Sequence, residues 1–474
     1  MNSRGAVTRP ERQAKTSGPW TVLTSALVGT TAILVFMGSI KIPFWMEDFL
    51  LLDLVNRMTF AEYIRYTFSG EQYHLAFLFR PLSHYAYWWL GQLLFDLNYQ
   101  GFHAVNLLIH AGNSILVAFL GTQLTRRTSA GVIAGTIYAI GRVNFGALYH
   151  LPHVQDLLVT FLALVGLLSY TREAYRSGGK AGSGWLAPVS FALALGAKES
   201  AIMIPAVLLL YDLLFVLTDI QRWNDRVICL IRRLWPFAAI SLIYLALRLP
   251  AMSYGLREDS SGYGLTFSLS ALGRYGWGAF WSLEGLFEPL RIIKVMLLPE
   301  FHPLSNKPLV LVIGISAVLT AGSLIGLAIK NRKLTLEHTG KGKAFVFGLL
   351  WFLVIPLPII FVPPFAADLF ITASVGVAIA AACALGLVLE TALRNNHEAL
   401  LRSGVLAFAF ALAVSGRLLI QRVESETSWL EYSYLASQAG LLIAQNRADL
   451  GPDSTVYLVG FPEQVFPWST GEAL

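Results

Sequence analysis

The sequence has little charge and almost no cysteine. Only 14% of its 474 residues are Asp, Glu, Lys or Arg, whereas soluble domains carry about 25%. Together with a mean hydropathy of +0.59, this excludes an ordinary soluble globular protein. Two cysteines give no disulfide framework. The sequence has no P-loop, no G-x-G-x-x-G motif, no G-x-S-x-G elbow and no zincin motif, so it indicates no nucleotide-driven chemistry.

Long apolar runs take the place of the missing charge, and eleven of them predict membrane-spanning helices. They are residues 20–40, 102–124, 130–148, 155–171, 184–198, 201–217, 234–250, 308–329, 343–363, 368–390 and 403–421. The predicted fold class is therefore an all-α polytopic membrane protein with about eleven transmembrane helices. We expect the first run to be a retained signal anchor, because no small-residue cleavage site follows it.

Basic residues predict the orientation of these helices. With a cytoplasmic N-terminus, every basic cluster falls on the cytoplasmic side, as the positive-inside rule requires. The clusters lie in the N-terminal tail and in the loops near residues 126–127, 172–180, 222–233 and 330–343. The net charge of +6 is therefore a sign of topology and not of nucleic-acid binding. The scheme requires residues 73–95, and the apolar part of 251–307, to lie at or re-enter the outer interface without spanning.

This topology divides the chain into three parts. Residues 1–19 form a cytoplasmic basic tail, residues 20–421 a transmembrane domain, and residues 422–474 a short extracytoplasmic segment with a strand-like run at 454–460. Two long outer loops, 41–101 and 251–307, interrupt the transmembrane domain. We expect the first of them to contain interfacial helices.

Ionisable residues from five separate segments meet at the predicted outer surface. They are Glu47 and Asp48; Arg80; His150, His153 and Asp156; Lys198 and Glu199; and Arg257, Glu258 and Asp259. Charged groups near membrane depth are costly and tend to mark functional pathways. The sequence therefore predicts a functional site on the outer face.

Glu47 and Asp48 lie in the apolar stretch "FWMEDFLLL". Burial raises the proton affinity of a carboxylate and suits it to act as a base. The alternative is a solvated turn after the first span. Asp53 lies five residues beyond Asp48, so it points to another side of a helix, and we interpret it as structural.

The histidines allow two interpretations each. A polar stripe at spacings of three, four and three follows one face of the second predicted span: His103, Asn106, His110 and Asn113. Interhelical hydrogen bonds explain this stripe better than a bound ligand does. His150, His153 and Asp156 invite a metal hypothesis, but they lack a strong ligand signature. No metal site is predicted from them.

Two cations are candidates for binding a phosphate. Lys198 either forms a self-neutralising pair with Glu199 or offers its charge to a phosphate. Arg80, which precedes Pro81, is either a second phosphate ligand or an arginine that snorkels to the interface.

Four segments, taken in order, resemble a known family. They are "FRPLSHYAYWWLGQLLFDLNYQGFHAVNLLIHAGNSILV" (79–117), "QDLLVTFLALVGLLSY" (155–170), "LALGAKESAIMIPAVLLLYDLLF" (193–215) and "ADLFITASVGVAIA" (367–380). The set is similar to the tetratricopeptide-bearing transmembrane O-mannosyltransferases and their bacterial relatives, although no such repeats follow the last span. The resemblance implies a GT-C fold, in which acidic residues of the first outer loop transfer a sugar from a polyprenyl-phosphate carrier.

Carried over to this chain, the resemblance makes Asp48 the general base, with Glu47 in support. Asp156 matches the family's aspartate before Leu-Leu, and Lys198 with Glu199 matches its Lys-Glu. Two departures leave the donor sugar and the acceptor open. Gly141-Arg142 stands where the family has His-Pro, and Leu369-Phe370 follows the late aspartate where the family has Arg-Tyr.

The resemblance thus implies an inverting membrane glycosyltransferase. Arg80 and Lys198 would offset charge on the donor phosphate, and the supporting polar residues would be Asp156, Glu199, His150, His153 and His103. The expected partners are a lipid-linked sugar donor, an acceptor glycan, lipid or protein, and membrane lipids, but no nucleic acid. No cofactor is certain, but a diphosphate donor would favour a divalent cation. We expect a bacterial inner or plasma membrane, with the site extracytoplasmic.

Two other classes remain open. A transporter or flippase for a lipid-linked or charged solute would use the acids and histidines as a proton path, but the sequence shows no internal repeat. A scaffold without catalysis would be favoured by loss of the acidic pair, which is present.

Overall fold

The apolar runs form α-helices in the computed structural model, and no strand occurs among the residues that it describes. These are residues 19–45, 47–69, 79–176, 184–255, 270–297, 340–358, 360–361, 367–392, 398–427, 430–431, 433–435 and 438. The predicted span 308–329, the strand-like run 454–460 and the charged loop at 257–259 lie outside them. An all-helical polytopic protein is the predicted class.

Fifteen α-helices follow one another in the described part of the chain. They are α1 (Pro19–Phe36), α2 (Glu47–Arg57), α3 (Phe60–Ser69), α4 (Tyr87–Phe95), α5 (Tyr99–Thr125), α6 (Thr128–Ile140), α7 (Phe145–Tyr149), α8 (Val154–Arg176), α9 (Leu186–Ala197), α10 (Ile204–Tyr211), α11 (Trp223–Gly255), α12 (Ser270–Leu297), α13 (Gly340–Val354), α14 (Ile371–Ala392) and α15 (Glu398–Glu426). Short 3₁₀ turns cover Met37–Lys41, Arg142–Asn144, Leu151–His153, Glu199–Met203, Leu217–Asp219 and Ala367–Phe370, and π-helical turns cover Pro81–Ala86 and Asp212–Val216.

Seven helical stretches in the described chain are long and apolar enough to cross a membrane. They are Trp20–Lys41, Tyr99–Thr125, Leu151–Tyr175, Glu199–Val216, Trp223–Arg248, Ala367–Gly386 and Arg402–Glu426. An eighth results if Thr128–Ile140 and Arg142–Tyr149, bent by 47°, form one broken span. The predicted spans 184–198 and 343–363 contain only shorter apolar helices, Leu186–Ala197 and Gly342–Val354. The chain is an integral membrane protein, and the number of eleven spans stays a prediction.

Glycines bring several of these helices into close contact. A Cβ on Gly131 of α6 would lie 2.3 Å from the carbonyl oxygen of Ala118 on α5. A Cβ on Gly348 of α13 would lie 2.5 Å from the carbonyl oxygen of Gly376 on α14. Small residues allow such backbone approach where lipid supplies no hydrophobic drive for association. These contacts fix α5, α6, α13 and α14 as the centre of the bundle.

The polar stripe of α5 bonds to backbone carbonyls of the neighbouring helices. The acceptors are Leu148 for His103 (2.9 Å), Ala147 for Asn106 (3.3 Å), Ala139 for His110 (3.1 Å) and Leu157 for Asn113 (3.0 Å). All four side chains are buried. The interhelical interpretation of this stripe is therefore confirmed. The bonds to residues 147, 148 and 157 also fix the segment that carries His150 and His153.

Candidate functional site

The two adjacent carboxylates occupy the first turn of α2. Negative side chains are favoured there by the unpaired N–H groups and dipole of a helix N-terminus. The backbone N–H of Trp45 donates to Oδ2 of Asp48 at 2.8 Å. Asp48 is only 1% exposed, and its Oδ1 has no hydrogen-bond partner among the described residues. Oδ1 of the buried Asp48 carboxylate is therefore available to bond another group.

Burial and pairing separate the two acids electrostatically. Burial raises the pKa of Asp48 to about 7, although the charge of His150 opposes the rise. Burial also raises the pKa of Glu47, but the hydrogen bond and charge of His150 more than offset this, so its pKa is lowered. Glu47 therefore stays ionised at pH 7, while Asp48 exchanges its proton near that pH.

His150 joins the start of α2 to the end of α7. Its Nε2 lies 2.9 Å from Oε2 of Glu47, and its ring centroid lies 5.0 Å from that of Trp45. Burial lowers the pKa of His150, but the carboxylate of Glu47 raises it by more, so that the net direction is upward. The pair is therefore a charged contact near neutral pH.

His153 extends the same row of groups to the start of α14. The rings of His150 and His153 lie 4.7 Å apart, and Nδ1 of His153 lies 3.4 Å from Oδ2 of Asp368. Asp368 belongs to the 3₁₀ turn Ala367–Phe370 and is buried. Glu47, His150, His153 and Asp368 thus form a continuous row across the site.

Lys198 lies at a break between two helices. Its backbone is extended between α9 and the 3₁₀ turn Glu199–Met203, so the side chains of Lys198 and Glu199 go to different partners. Nζ of Lys198 bonds both carboxylate oxygens of Asp156, at 2.8 and 2.7 Å. Both side chains of this pair are 6% exposed. Of the two alternatives for Lys198, the self-neutralising pair with Glu199 does not form, because Lys198 pairs with Asp156.

Glu199 instead pairs with Arg80. Nε and Nη2 of Arg80 bond the Glu199 carboxylate at 2.9 and 2.5 Å, and Nη1 bonds the Gln155 side chain at 2.5 Å. Burial lowers the pKa of Arg80, but the charge and hydrogen bond of Glu199, together with the charge of Asp156, raise it by more, so the guanidinium stays cationic. Gln155 adjoins Asp156 and Lys198 adjoins Glu199, so the two ion pairs lie next to each other. The snorkelling interpretation of Arg80 does not hold, because its side chain is only 11% exposed.

The structure thus joins most of the predicted site residues and sets one apart. His103 is tied to the carbonyl of Leu148, which is a structural contact. Asp368, Gln155 and His84 join the site without having been predicted for it. His84 lies 3.4 Å from Arg80. The available signal for Asp368 was a lone acid at the start of an apolar run.

Within the described part of the chain, no three His, Cys, Asp or Glu side chains are arranged to hold a metal ion. Two of the histidines that a metal would use are instead committed to Glu47 and Asp368. These contacts account for His150 and His153 as polar partners of carboxylates within the protein.

A second buried ionic cluster lies on the other side of α7. Arg422 of α15 bonds Glu284 at 2.6 Å and Glu288 at 3.1 Å, both on α12. Arg142 also reaches Glu284, at 3.1 Å. Phe370, at the other departure from the family pattern, packs on Tyr275 of α12 with a ring separation of 6.1 Å. Both departures therefore contact α12.

A cleft of about 460 Å³ adjoins this region. It is lined by Gly38, Lys41, Ile42, Tyr149, Arg417, Glu424, Ser425, Glu426, Thr427, Leu430, Glu431 and Tyr434. Tyr149 directly precedes His150, so one short segment contributes to both the cleft and the candidate site. The phenol of Tyr149 donates to Glu424 inside the cleft.

Comparison with known proteins finds a curated relative and several similar solved structures, among them ArnT and AglB. No family model matches the chain. ArnT from Cupriavidus metallidurans, solved with undecaprenyl phosphate, is 15% identical with a TM-score of 0.38, over 96% of this chain and 85% of that one. The oligosaccharyltransferase AglB from Archaeoglobus fulgidus, solved with an inhibitory peptide and a dolichol-phosphate, is 14% identical with a TM-score of 0.34, over 94% and 53% of the two chains.

The curated relative is the human protein O-mannosyl-transferase TMTC4. It is 26% identical to this chain over 220 residues, which are 40% of this chain and 29% of the human protein. The match thus spans less than a third of that relative's length. The resemblance to the O-mannosyltransferases that the sequence motifs indicated is confirmed: the chain is similar, over two fifths of its length, to a protein O-mannosyl-transferase.

Proposed function

We propose that this protein is a membrane glycosyltransferase, which moves a sugar from a polyprenyl-phosphate donor to an acceptor hydroxyl on the extracytoplasmic face. The observation that carries the proposal is the buried Asp48, whose Oδ1 has no partner among the described residues. Its pKa of about 7 suits a general base at neutral pH. The similarity to a protein O-mannosyl-transferase supports this class of reaction.

In the proposed reaction, Oδ1 of Asp48 takes the proton of the acceptor hydroxyl. The hydroxyl oxygen forms a bond to the anomeric carbon from the face opposite the phosphate. The bond between that carbon and the phosphate oxygen breaks, and the lipid phosphate leaves with the electron pair. The sugar therefore inverts its anomeric configuration.

The leaving phosphate gains negative charge, which fixed cations stabilise. Arg80 has five N–H donors, and its contacts with Glu199, Gln155 and His84 leave at least one for a phosphate oxygen. Lys198 has three donors, and Asp156 takes two of them. Because their carboxylate partners hold both cations in place, they are positioned before the donor arrives.

The two departures from the family pattern leave the sugar and the acceptor open. Both departures contact α12. Arg142 pairs with Glu284 of that helix, and Phe370 packs on it. A mannose donor and a protein acceptor are therefore one choice among several. A diphosphate donor would add the need for a divalent cation.

The test is transfer from radiolabelled polyprenyl-phosphate hexoses by the purified protein, with membrane extract as the acceptor. Wild type is compared with Asp48→Asn and Glu47→Gln. We expect Asp48→Asn to lower the rate by about 10²–10⁴-fold, which is the usual contribution of a general base. Glu47→Gln should lower the transfer rate less, because Glu47 is paired with His150 and is not the assigned base.

Asp53→Asn is the matched control. Asp53 lies on the same helix and bonds only the exposed Arg57 among its described contacts, at 2.6 Å, so its rate should stay within about twofold of wild type. A wild-type rate for Asp48→Asn would refute the assigned base. Absence of transfer from every donor by folded wild type would refute the enzyme and favour a carrier of lipid-linked solutes.

A further inference from the structure

One imidazole, that of His150, contacts two residues that precede Asp48 in the same turn, Trp45 and Glu47. Its Nε2 lies 2.9 Å from Glu47, the residue before Asp48. Its ring packs on Trp45 with centroids 5.0 Å apart, and the backbone N–H of Trp45 holds Oδ2 of Asp48. The side chain of His150 is only 11% exposed. A change at position 150 therefore affects the Asp48 carboxylate although the two side chains are not in direct contact.

We infer that His150 is a positioning residue of the proposed transfer, which commits Glu47 to an ion pair and leaves Asp48 as the carboxylate with an oxygen available to the acceptor. The inference rests on the proposed function. It goes further by naming a third residue, His150, that sets the different roles of the two acids. Without His150, Glu47 would lose its ion-pair partner, and its charge would repel that of Asp48 with no imidazolium beside it.

The backbone around His150 is held firmly enough for this role. Its N–H donates to the carbonyl of Gly146 at 2.9 Å, and its carbonyl accepts from the N–H of His153 at 3.2 Å. His103 bonds the carbonyl of Leu148, two residues earlier, at 2.9 Å. The imidazole is therefore placed by three bonds that do not involve the acids it contacts.

The surrounding charges set the direction of the expected effect. Asp48 interacts electrostatically with Glu47, His150 and the phenol of Tyr87, and His150 with Glu47, Asp48, His153, Asp368 and His103. The imidazolium lowers the pKa of Asp48, and Glu47 raises it. Removing the imidazolium leaves only the hydrogen bond from the Trp45 N–H to oppose the desolvation of Asp48 and the repulsion by Glu47. The pKa of Asp48 should then rise.

The experiment is the pH profile of kcat/KM for sugar transfer by His150→Gln. We expect the acidic limb of the profile to move upward by roughly one pH unit, which is the effect of losing a close opposite charge. The rate on the alkaline plateau should fall only a few-fold, because the base is still present. A profile that keeps the wild-type limb, whatever its height, would overturn the inference and leave His150 a structural role only.

His110→Gln is the matched control. His110 is also buried, but it bonds the carbonyl of Ala139 and not Glu47 or Asp48. Its loss should lower thermal stability without moving the limb. In the double variant Glu47→Gln with His150→Gln, the upward shift should be smaller than the shift caused by His150→Gln alone, because the ion pair is already absent.

A spectroscopic readout separates this inference from the proposed function. The infrared carbonyl band of protonated Asp48, assigned by its absence in Asp48→Asn, can be titrated without any substrate. We expect its midpoint near pH 7 in wild type and a higher midpoint in His150→Gln. Equal midpoints would overturn the inference even if transfer is observed. A shifted midpoint in a protein that transfers no sugar would uphold the effect of His150 and refute only the enzyme.

Discussion

Two buried ionic clusters in this protein differ in how completely their charged groups are paired. Around Arg422, both oxygens of Glu284 and of Glu288 bond an arginine. At the candidate site, Asp48 keeps an oxygen with no partner in the described chain. The first cluster fastens α12 to α15. The candidate site instead keeps a carboxylate oxygen that can react. We therefore call the cluster of Arg422, Glu284 and Glu288 a clamp between two helices.

The largest effect is expected from Arg422→Met. It leaves Glu284 and Glu288 buried with one charge partner fewer, and breaking a buried pair from one side costs about 3–5 kcal/mol. Thermal unfolding in detergent, followed by tryptophan fluorescence, measures the loss of stability. Arg422→Lys keeps the charge but not the planar fork, so its loss should be smaller. Equal stability of Arg422→Met and wild type would show that the cluster does not act as a clamp.

Acid should inactivate the site before it affects the clamp. Asp48 must be ionised to act as a base, and its pKa is about 7. Below that pH, the rate of sugar transfer should fall by about tenfold for each pH unit. The measurement is kcat/KM between pH 5 and pH 9, with unfolding recorded in parallel. A flat profile over this range would contradict Asp48 as the base.

Asp48 should lower stability where it is ionised. Its pKa in the folded protein lies above the ordinary value of 3.8, so the folded state binds the proton more tightly than the unfolded state does. Its contribution to stability is fully present below pH 3.8 and is lost as the pH rises through about 7. Asp48→Asn should therefore stabilise the protein at pH 8, by about 1–2 kcal/mol once the buried amide is counted, but not at pH 5. Greater stability of wild type at pH 8 would contradict the buried, unpaired carboxylate.

The smallest effect is expected at the exposed edge of the clamp. Arg291 lies 3.5 Å from Glu426, and the two side chains are 40% and 46% exposed. Exposed pairs contribute about 0–1 kcal/mol, so Arg291→Met should unfold almost as wild type does. A loss as large as that of Arg422→Met would mean that the pairs cannot be ranked by exposure.

Much of the bundle and the membership of the site could be predicted from the sequence. Apolar runs mark helices because the membrane leaves backbone groups no other partners, and the alternate basic loops predict that the remaining ionisable residues lie on one face. The pairing could not be predicted. Arg80 and Glu199 are 119 residues apart, and adjacency suggested Lys198 as the partner of Glu199. Only the extended backbone at Lys198 sends the two side chains to different segments.

The role of His103 was also beyond the sequence. Its spacing places it on a polar face, but a polar face does not reveal whether the acceptor is a ligand or a carbonyl. Asp368 was missed for the opposite reason, since it stands alone at the start of an apolar run. Its contact with His153, at 3.4 Å, is visible only in the folded structure.

The row from Glu47 to Asp368 also has a consequence for how the protein is made. Lys198 meets Asp156 soon after both have entered the membrane, so this pair is neutralised early in synthesis. His153 must wait for Asp368, which enters later, with α14. A ribosome-bound chain that ends before α14 therefore carries the acidic pair but an incomplete row. The site becomes complete only after α14 has been inserted.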